Sequence, residues 1–170
     1  MAPLARRTRA PRGQKPILRQ RTKSYRKVSA IAALIVSHGR DQLGLFFWLY
    51  PNANINSVKV RSFLRDLSWH FQCPLVLLWD RLQARRARQV QTYIEEKRGW
   101  RAKFLPPYGP ELNPVENVWG YLKTNAMANE APGDLSLLTD RTQCHGRAIQ
   151  QREGLLGSFL KYKPFFLRLL

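Results

Sequence analysis

Two acidic residues occupy positions where carboxylates commonly do chemistry in α/β proteins. Asp80 directly follows the apolar run 74–79, and Glu116 ends the segment Leu-Pro-Pro-Tyr-Gly-Pro-Glu-Leu-Asn-Pro-Val-Glu at 105–116. The carboxyl edge of an open sheet is where α/β folds place their sites, and carboxylates there suit Mg²⁺. Two such ions, about 3.5–4 Å apart, activate an attacking oxygen and stabilise a leaving one. These residue types therefore point to metal-assisted phosphoryl transfer.

The spacing of the two acids is compatible with a shared site. The segment between Asp80 and Glu116 is long enough for one helix, one strand and a turn. A chain that follows this path leaves the sheet edge and returns to it, because parallel strands joined by a helix end on the same side. The two carboxylates are therefore predicted to meet.

Both acids also have purely structural interpretations, which the sequence leaves open. Asn113-Pro-Val-Glu116 is a capping box, with Asn at the N-cap, Pro in the first helical position and Glu three residues on. Asp80 has the alternatives of starting the following helix or of pairing with a nearby arginine. The candidate partners are Arg81, Arg85 and Arg86.

The elements that must position these acids follow from hydrophobic periodicity. Continuous apolar runs at 25–36 and 43–50 flank a Gly-containing turn and predict a hairpin of buried strands. Strands are also predicted at 74–79 and 100–105, and helices at 54–71, 84–98, after Asn113 and within 135–160. A hairpin followed by alternating helices and strands predicts an α/β fold, with a mixed sheet flanked by helices.

Charge indicates the partner. The 170 residues contain 29 Lys+Arg against 11 Asp+Glu, a formal net charge of +18, and residues 1–40 contain no acid. Such a field concentrates polyanions, and every phosphate contact releases a counterion, so a nucleic acid is the expected ligand. Hydrophobic residues at 44% support a packed core, whereas two cysteines exclude a disulfide framework and fit a reducing compartment.

A family resemblance rests on the segments around the two acids. Trp79-Asp80-Arg-Leu, followed by 105–123, resembles the catalytic core of insertion-sequence transposases of the mariner-like supergroup, which carry a DDE triad. Segments 12–19 and 27–33 are similar to that family as well, so the likeness covers roughly residues 6–160. The resemblance implies a ribonuclease-H-like fold and two-metal DNA strand cleavage and joining. Asp80 corresponds to the second triad acid and Glu116 to the third, with two Mg²⁺ (or Mn²⁺) ions in the intact site.

The chain departs from the family pattern in two places. The family's first acid lies on a first strand upstream of segment 12–19, but no acid precedes Asp41 here, and Asp41 falls in the predicted hairpin turn. Many members also have a histidine shortly after the second acid, where this chain has Arg85. We therefore expect a ribonuclease-H-like sheet that lacks its first strand, and little or no strand transfer by this chain alone.

The complete prediction is a basic arm at 1–24, a partial catalytic core at 25–130 and a helical extension at 131–170. DNA is the expected partner, with a homodimer on transposon ends, no membrane association, and a location in the bacterial cytosol or nucleoid. The alternatives are a non-catalytic, basic nucleic-acid-binding remnant and an RNA-associated protein. The residues predicted to contact nucleic acid are Arg12, Lys15, Arg19, Arg21, Lys23, Arg81, Arg85 and Lys123.

Overall fold

The structure, a computed structural model, describes residues 27–37, 39, 42–107, 109–127 and 134–161. The predicted basic arm 1–24 lies outside these residues. Four strands and six helices cover most of the described part. They are β1 (Val28–Val36), β2 (Leu43–Pro51), α1 (Ser57–His70), β3 (Val76–Trp79), α2 (Gln83–Arg86), α3 (Arg88–Glu95), β4 (Arg101–Phe104), α4 (Pro114–Tyr121), α5 (Leu135–Gln150) and α6 (Glu153–Lys161).

The predicted hairpin is present. β1 and β2 pair antiparallel along their whole length, from Val28 opposite Pro51 to Val36 opposite Leu43. The amide of Ser37 donates to the carbonyl of Gln42 at 3.0 Å and closes the ladder at the turn. Both strands are continuously apolar because both faces of the hairpin are covered, and a sheet buried on both sides has no polar face to alternate with.

Each face of the hairpin supports its own hydrophobic cluster. On one face, the odd-numbered residues of β1 and the even-numbered residues of β2 pack with α1, α3 and the second pair of strands. These side chains are Ile31, Ala33, Ile35, Phe46, Trp48 and Tyr50. On the opposite face, even-numbered residues of β1 and odd-numbered residues of β2 pack with α4, α5 and α6. These side chains are Ala32, Leu34, Leu43, Leu45 and Phe47. The period-2 geometry of a strand thus divides the core into two layers.

Helix α1 forms for the reasons that its sequence predicts. Asn56 accepts a hydrogen bond from the Lys59 amide at 3.0 Å, which caps the first turn. The predicted apolar stripe is buried at Val60, Phe63, Leu64 and Leu67. This stripe packs under both the hairpin and the β3–β4 pair.

Strands β3 and β4 pair in parallel, with Trp79 opposite Phe104. The predicted single helix 84–98 between them is wrong in detail. It is divided into α2 and α3 at Ala87, whose φ of −57° and ψ of 138° are not helical. Val90, Tyr93 and Ile94 of α3 remain buried against the core.

The C-terminal helices close the second cluster. α4 continues as a π-helical turn over Leu122–Ala126, and the predicted helical region 135–160 is divided into α5 and α6. Gly146 of α5 lies against the Phe47 ring, where an added Cβ would stand 2.4 Å from Cζ. The Gln150 side chain also donates to the Leu45 carbonyl at 2.6 Å, so α5 is fixed to β2.

The mixed α/β class with helices flanking the strands is confirmed, but the described residues do not form one continuous sheet. They form two separate two-stranded sheets, one antiparallel and one parallel. The shared packing on α1 holds the two pairs in one fold without a ladder between them. Among the helices in the described part of the chain, none combines the length and apolarity needed to cross a bilayer.

Two side chains are more exposed than their sequence context indicates. A tryptophan beside an apolar run is typical of a core, but Trp69 is 75% exposed, because it lies on the face of α1 opposite the buried stripe. A cysteine directly before an apolar strand is typical of a small buried residue, but Cys73 is exposed in the connection between α1 and β3.

Candidate active site

The parallel pairing of β3 and β4 brings the segments after both strands to one edge. The Leu105 amide donates to the Trp79 carbonyl at 2.8 Å, so the two strands end side by side. Arg81 Nε then donates to the Leu105 carbonyl at 3.2 Å and bridges the two segments. Asp80 therefore lies next to the start of the proline-rich segment that leads to Glu116.

The Asp80 carboxylate makes one ion pair and accepts one backbone hydrogen bond within the chain. Arg85 Nη1 lies 2.6 Å from Asp80 Oδ1, and the Leu82 amide donates to the same oxygen at 3.0 Å. The Asp80 side chain is 44% exposed, whereas that of Arg85 is only 18% exposed. The structure thus realises the ion pair that the sequence offered as an alternative for Asp80.

Glu116 lies in the first turn of α4, and the helix cap does not use its carboxylate. Asn113 Oδ1 accepts from the Val115 amide at 3.2 Å, and Pro114 occupies the first helical position. A full capping box would also bond the Glu116 side chain back to the Asn113 amide. Within the described residues Glu116 makes no side-chain hydrogen bond or ion pair, and its side chain is exposed. Among the described residues, the carboxylate is therefore not committed to the cap or to an ion pair.

The described residues do not make a complete metal centre. No group of three or more His, Cys, Asp or Glu side chains comes together among them, so a site built from this part of the chain has too few ligands. Asp80 Oδ1 is already saturated by a cation and an amide. Oxygen ligands suit Mg²⁺ or Mn²⁺, but these carboxylates do not fit a loaded two-ion site as they stand.

The predicted nucleic-acid contacts differ in availability. Arg81 is exposed at the strand edge, and Lys123 is half-buried on the π-helical turn. Arg85 faces Asp80, so its predicted phosphate contact remains a prediction. The contacts predicted at Arg12, Lys15, Arg19, Arg21 and Lys23 lie outside the described residues.

Sequence reasoning missed a basic groove between α1 and α3. The groove has a volume of about 430 Å³ and is lined by Arg61, Arg88, Gln89, Thr92, Tyr93 and Glu96. Arg61 lies over the Tyr93 ring at 5.8 Å from its centroid, and Gln89 hydrogen bonds to Ser57 across the two helices. Neither groove arginine makes an ion pair within the described part of the chain. The helical spacing of 88, 92 and 96 was the available signal, but only the packing of α3 on α1 reveals the second wall.

The β3–β4 pair also presents a basic face that the sequence did not reveal. Arg101 and Lys103 are exposed on β4, beside Val76 of β3, which is 55% exposed. By strand alternation these residues lie on the face opposite the cluster that includes Leu77 and Ala102.

Comparisons with known proteins agree with this architecture. A family model described as DDE superfamily endonuclease matches residues 2–139. The uncharacterized protein y4pE/y4sA of Sinorhizobium fredii (strain NBRC 101917 / NGR234) is 62% identical over 26 residues, 15% of this chain and 19% of the relative. The structure of the Mos1 mariner paired end complex with Mn is similar, with a TM-score of 0.54 and 16% identity.

The extent of these matches differs. The Mos1 match covers 95% of this chain and 53% of the solved chain, so this chain spans about half the length of that structure. At this level of identity the likeness concerns the fold alone. The family-model match covers most of the chain and includes both Asp80 and Glu116.

Proposed function

Because the chain belongs to the DDE superfamily endonucleases, we propose that it is a transposase-type domain that acts in DNA strand cleavage and joining. The observation that supports the proposal is the parallel pairing of β3 and β4, which ends with Asp80 next to Leu105, the first residue of the segment that leads to Glu116. The family match spans this edge, and the fold is similar to that of a mariner protein. The net charge of +18 supports a nucleic acid as the partner, and the family favours DNA.

The roles proposed for the two acids follow the family resemblance. Asp80 and Glu116 are proposed as ligands of divalent metal, Mg²⁺ or Mn²⁺, in an intact site that needs a further acid. Such ions would supply charge neutralisation at the phosphodiester. The Mos1 complex, to which the fold is similar, holds Mn. Two ions and a homodimer on transposon ends remain part of the proposal.

The number of acids that come together also determines how much strand-joining activity we expect from the isolated chain. Among the described residues the carboxylates do not gather in threes, and removal of one ligand of three removes most metal affinity. We therefore expect the 170-residue chain alone to join transposon-end DNA very weakly. Robust Mg²⁺-dependent joining by the isolated chain would contradict this expectation.

A binding experiment tests whether the strand edge faces DNA. Duplex DNA affinity is measured by fluorescence anisotropy in EDTA for wild type, Glu116→Gln and Glu95→Gln. Glu95 is an exposed acid at the end of α3, the helix that leads toward the start of β4 and away from the Asp80 edge. Removal of an unpaired carboxylate beside phosphates relieves like-charge repulsion, so E116Q should bind about two- to fivefold tighter. E95Q should match wild type.

The outcomes of this experiment are distinct. If E116Q and E95Q both bind as wild type does, Glu116 does not face the DNA backbone and the proposed site is wrong. If wild type does not bind DNA at all, the proposed function itself is wrong. Tighter binding by E116Q alone supports a DNA-facing acid at this edge.

A second candidate function is a non-catalytic DNA-binding domain. The observation in its favour is the Arg85–Asp80 ion pair, which neutralises one of the two acids without metal. A domain of this kind would bind DNA equally well with Asp80 and Glu116 both replaced by Ala, with or without divalent metal. A metal-dependent change in DNA affinity that disappears in the double variant would exclude this candidate.

The groove between α1 and α3 is proposed as part of the DNA contact surface. Each lost phosphate contact reduces the slope of log affinity against log salt by about 0.9 for duplex DNA. Replacement of both Arg61 and Arg88 by Ala should therefore lower the slope by about two. Arg65→Ala is the matched control, because Arg65 lies on the same helix but already pairs with Asp66 at 3.4 Å.

A further inference from the structure

The pairing of Arg85 with Asp80 is built more firmly than an ordinary surface ion pair. The Arg85 side chain is 18% exposed, and its guanidinium lies 5.9 Å from the centroid of the Trp79 ring. By contrast, the Arg65–Asp66 pair has a 3.4 Å separation, and the Arg65 side chain is 62% exposed. A half-buried arginine packed on an aromatic ring loses little further freedom when it pairs.

The backbone around Arg85 is also held in place. Its amide donates to the Leu82 carbonyl at 2.9 Å, and its carbonyl accepts from Gln91 Nε2 at 2.7 Å. The Leu82 amide in turn donates to Asp80 Oδ1 at 3.0 Å. The acid and the arginine therefore belong to one short hydrogen-bonded segment that links the end of β3 to α3.

This arrangement conflicts with a metal at the same carboxylate oxygen. The Arg85 guanidinium at 2.6 Å and the Leu82 amide at 3.0 Å take up both lone-pair directions of Oδ1, so a divalent cation bonded to that atom must displace one of them. A cation bound nearby would also face a full positive charge across a short distance, which weakens its binding. The second oxygen alone offers one ligand, and the described residues add no three-donor group around it.

We propose that Arg85 is an internal cation that holds Asp80 in a metal-free state, so that divalent metal binds only when this ion pair opens. The inference rests on the proposed function, because it concerns the acid assigned there to metal. It predicts that two factors lower the affinity for divalent metal: the small number of acids and the competition from this arginine. The neighbouring Arg86 lies on the same helix, is exposed, and makes no ion pair within the described residues.

The experiment compares Mn²⁺ affinity in the full 170-residue chain, measured by the electron paramagnetic resonance signal of free Mn²⁺. The proteins are wild type, Arg85→Ala, the matched control Arg86→Ala, and Arg85→Ala combined with Asp80→Asn. Loss of the competing pair should raise Mn²⁺ affinity by about fivefold or more in R85A. R86A should stay within about twofold of wild type, because it changes the net charge equally but frees no carboxylate.

The double variant assigns the gain to Asp80. R85A with D80N should return to the wild-type affinity, because the freed oxygen is gone. Equal gains in R85A and R86A would reduce the effect to net charge and overturn the proposal. No gain in R85A would overturn it as well, while leaving the DNA-binding test of the proposed function intact.

A second variant covers the case in which R85A does not fold, as judged by circular dichroism. Arg85→Gln keeps a polar but shorter side chain at this position and removes the positive charge. It should raise Mn²⁺ affinity in the same direction. Wild-type affinity in a folded R85Q would overturn the proposal on its own.

Discussion

The two pairs of strands are built very differently. The β1–β2 hairpin has nine-residue strands and is covered on both faces by two hydrophobic clusters. The β3–β4 pair has four-residue strands, and in the described part of the chain only one face packs on the core. The long pair provides the scaffold, whereas the short pair carries Asp80 and leaves a basic face open. The stable core and the proposed site are thus located on different sheets.

The largest expected effect comes from the layer that joins the two pairs. Leu64 is 1% exposed and belongs to the cluster beneath both sheets. Leu64→Ala should lower the free energy of unfolding by about 2–5 kcal/mol, measured by urea denaturation. Val76→Ala on the open face of β3 should cost about 0.5 kcal/mol or less. Similar losses in the two variants would show that the open face is covered in solution.

The next effect probes the second layer of the hairpin. A Cβ at Gly146 would stand 2.4 Å from Phe47 Cζ, so Gly146→Ala requires α5 or the ring to move. We expect a loss of about 1–3 kcal/mol. Gly154→Ala is the control, because no atom lies within 4 Å of the added Cβ and alanine favours the helix. A thermal melt in which G146A is as stable as wild type would show that this layer is loosely packed.

A smaller effect separates the cap of α4 from its acid. Asn113→Ala removes the side chain that accepts from the Val115 amide and should cost about 0.5–2 kcal/mol. Glu116→Gln should leave the free energy of unfolding within about 0.5 kcal/mol of wild type, because its carboxylate has no partner in the described residues. An equally destabilised E116Q would mean that the acid belongs to the cap after all.

The smallest effect concerns Tyr50, at the end of the hairpin. Burial, and secondarily the charge of Asp66, raises the pKa of the Tyr50 hydroxyl above its usual value of 10.0. A raised folded-state pKa stabilises the protein below the unfolded pKa, and this contribution is lost as pH rises through the folded value. Unfolding free energy should therefore fall above about pH 10.

Tyr50→Phe should remove this alkaline component. The Tyr50 hydroxyl is buried without a hydrogen-bond partner in the described structure, so Y50F should be neutral or slightly stabilising at pH 7. Denaturant titrations at pH 7 and above pH 10 compare the two proteins. An identical alkaline loss in Y50F would assign the titration to another group.

The scaffold was easier to predict from sequence than the site. The hydrophobic period alone predicts the continuous apolar strands and the helix at 54–71, whose apolar residues Val60, Phe63, Leu64 and Leu67 are buried. The break at Ala87 was missed because no Gly or Pro marks it, and tertiary packing divides the helix there. The gap between the two sheets depends on hydrogen bonds between distant segments, which periodicity does not report.

At the site, the sequence identified both acids and their rival structural roles but could not choose between them. The sequence is compatible with a capping box in which both Asn113 and Glu116 take part. Only the side-chain geometry shows that the cap uses Asn113 alone. Likewise, three arginines lie within reach of Asp80 in the chain, and the short distance to Arg85 selects one. The groove at Arg61 and Arg88 required knowledge of which helices are neighbours.

The cap of α4 separates the folding of the helix from the acid in its first turn. Asn113 secures the helix start without help from Glu116, so replacement of the acid is expected to leave the helix folded. The proposed metal chemistry is therefore separable from the fold on which the proposed DNA binding depends.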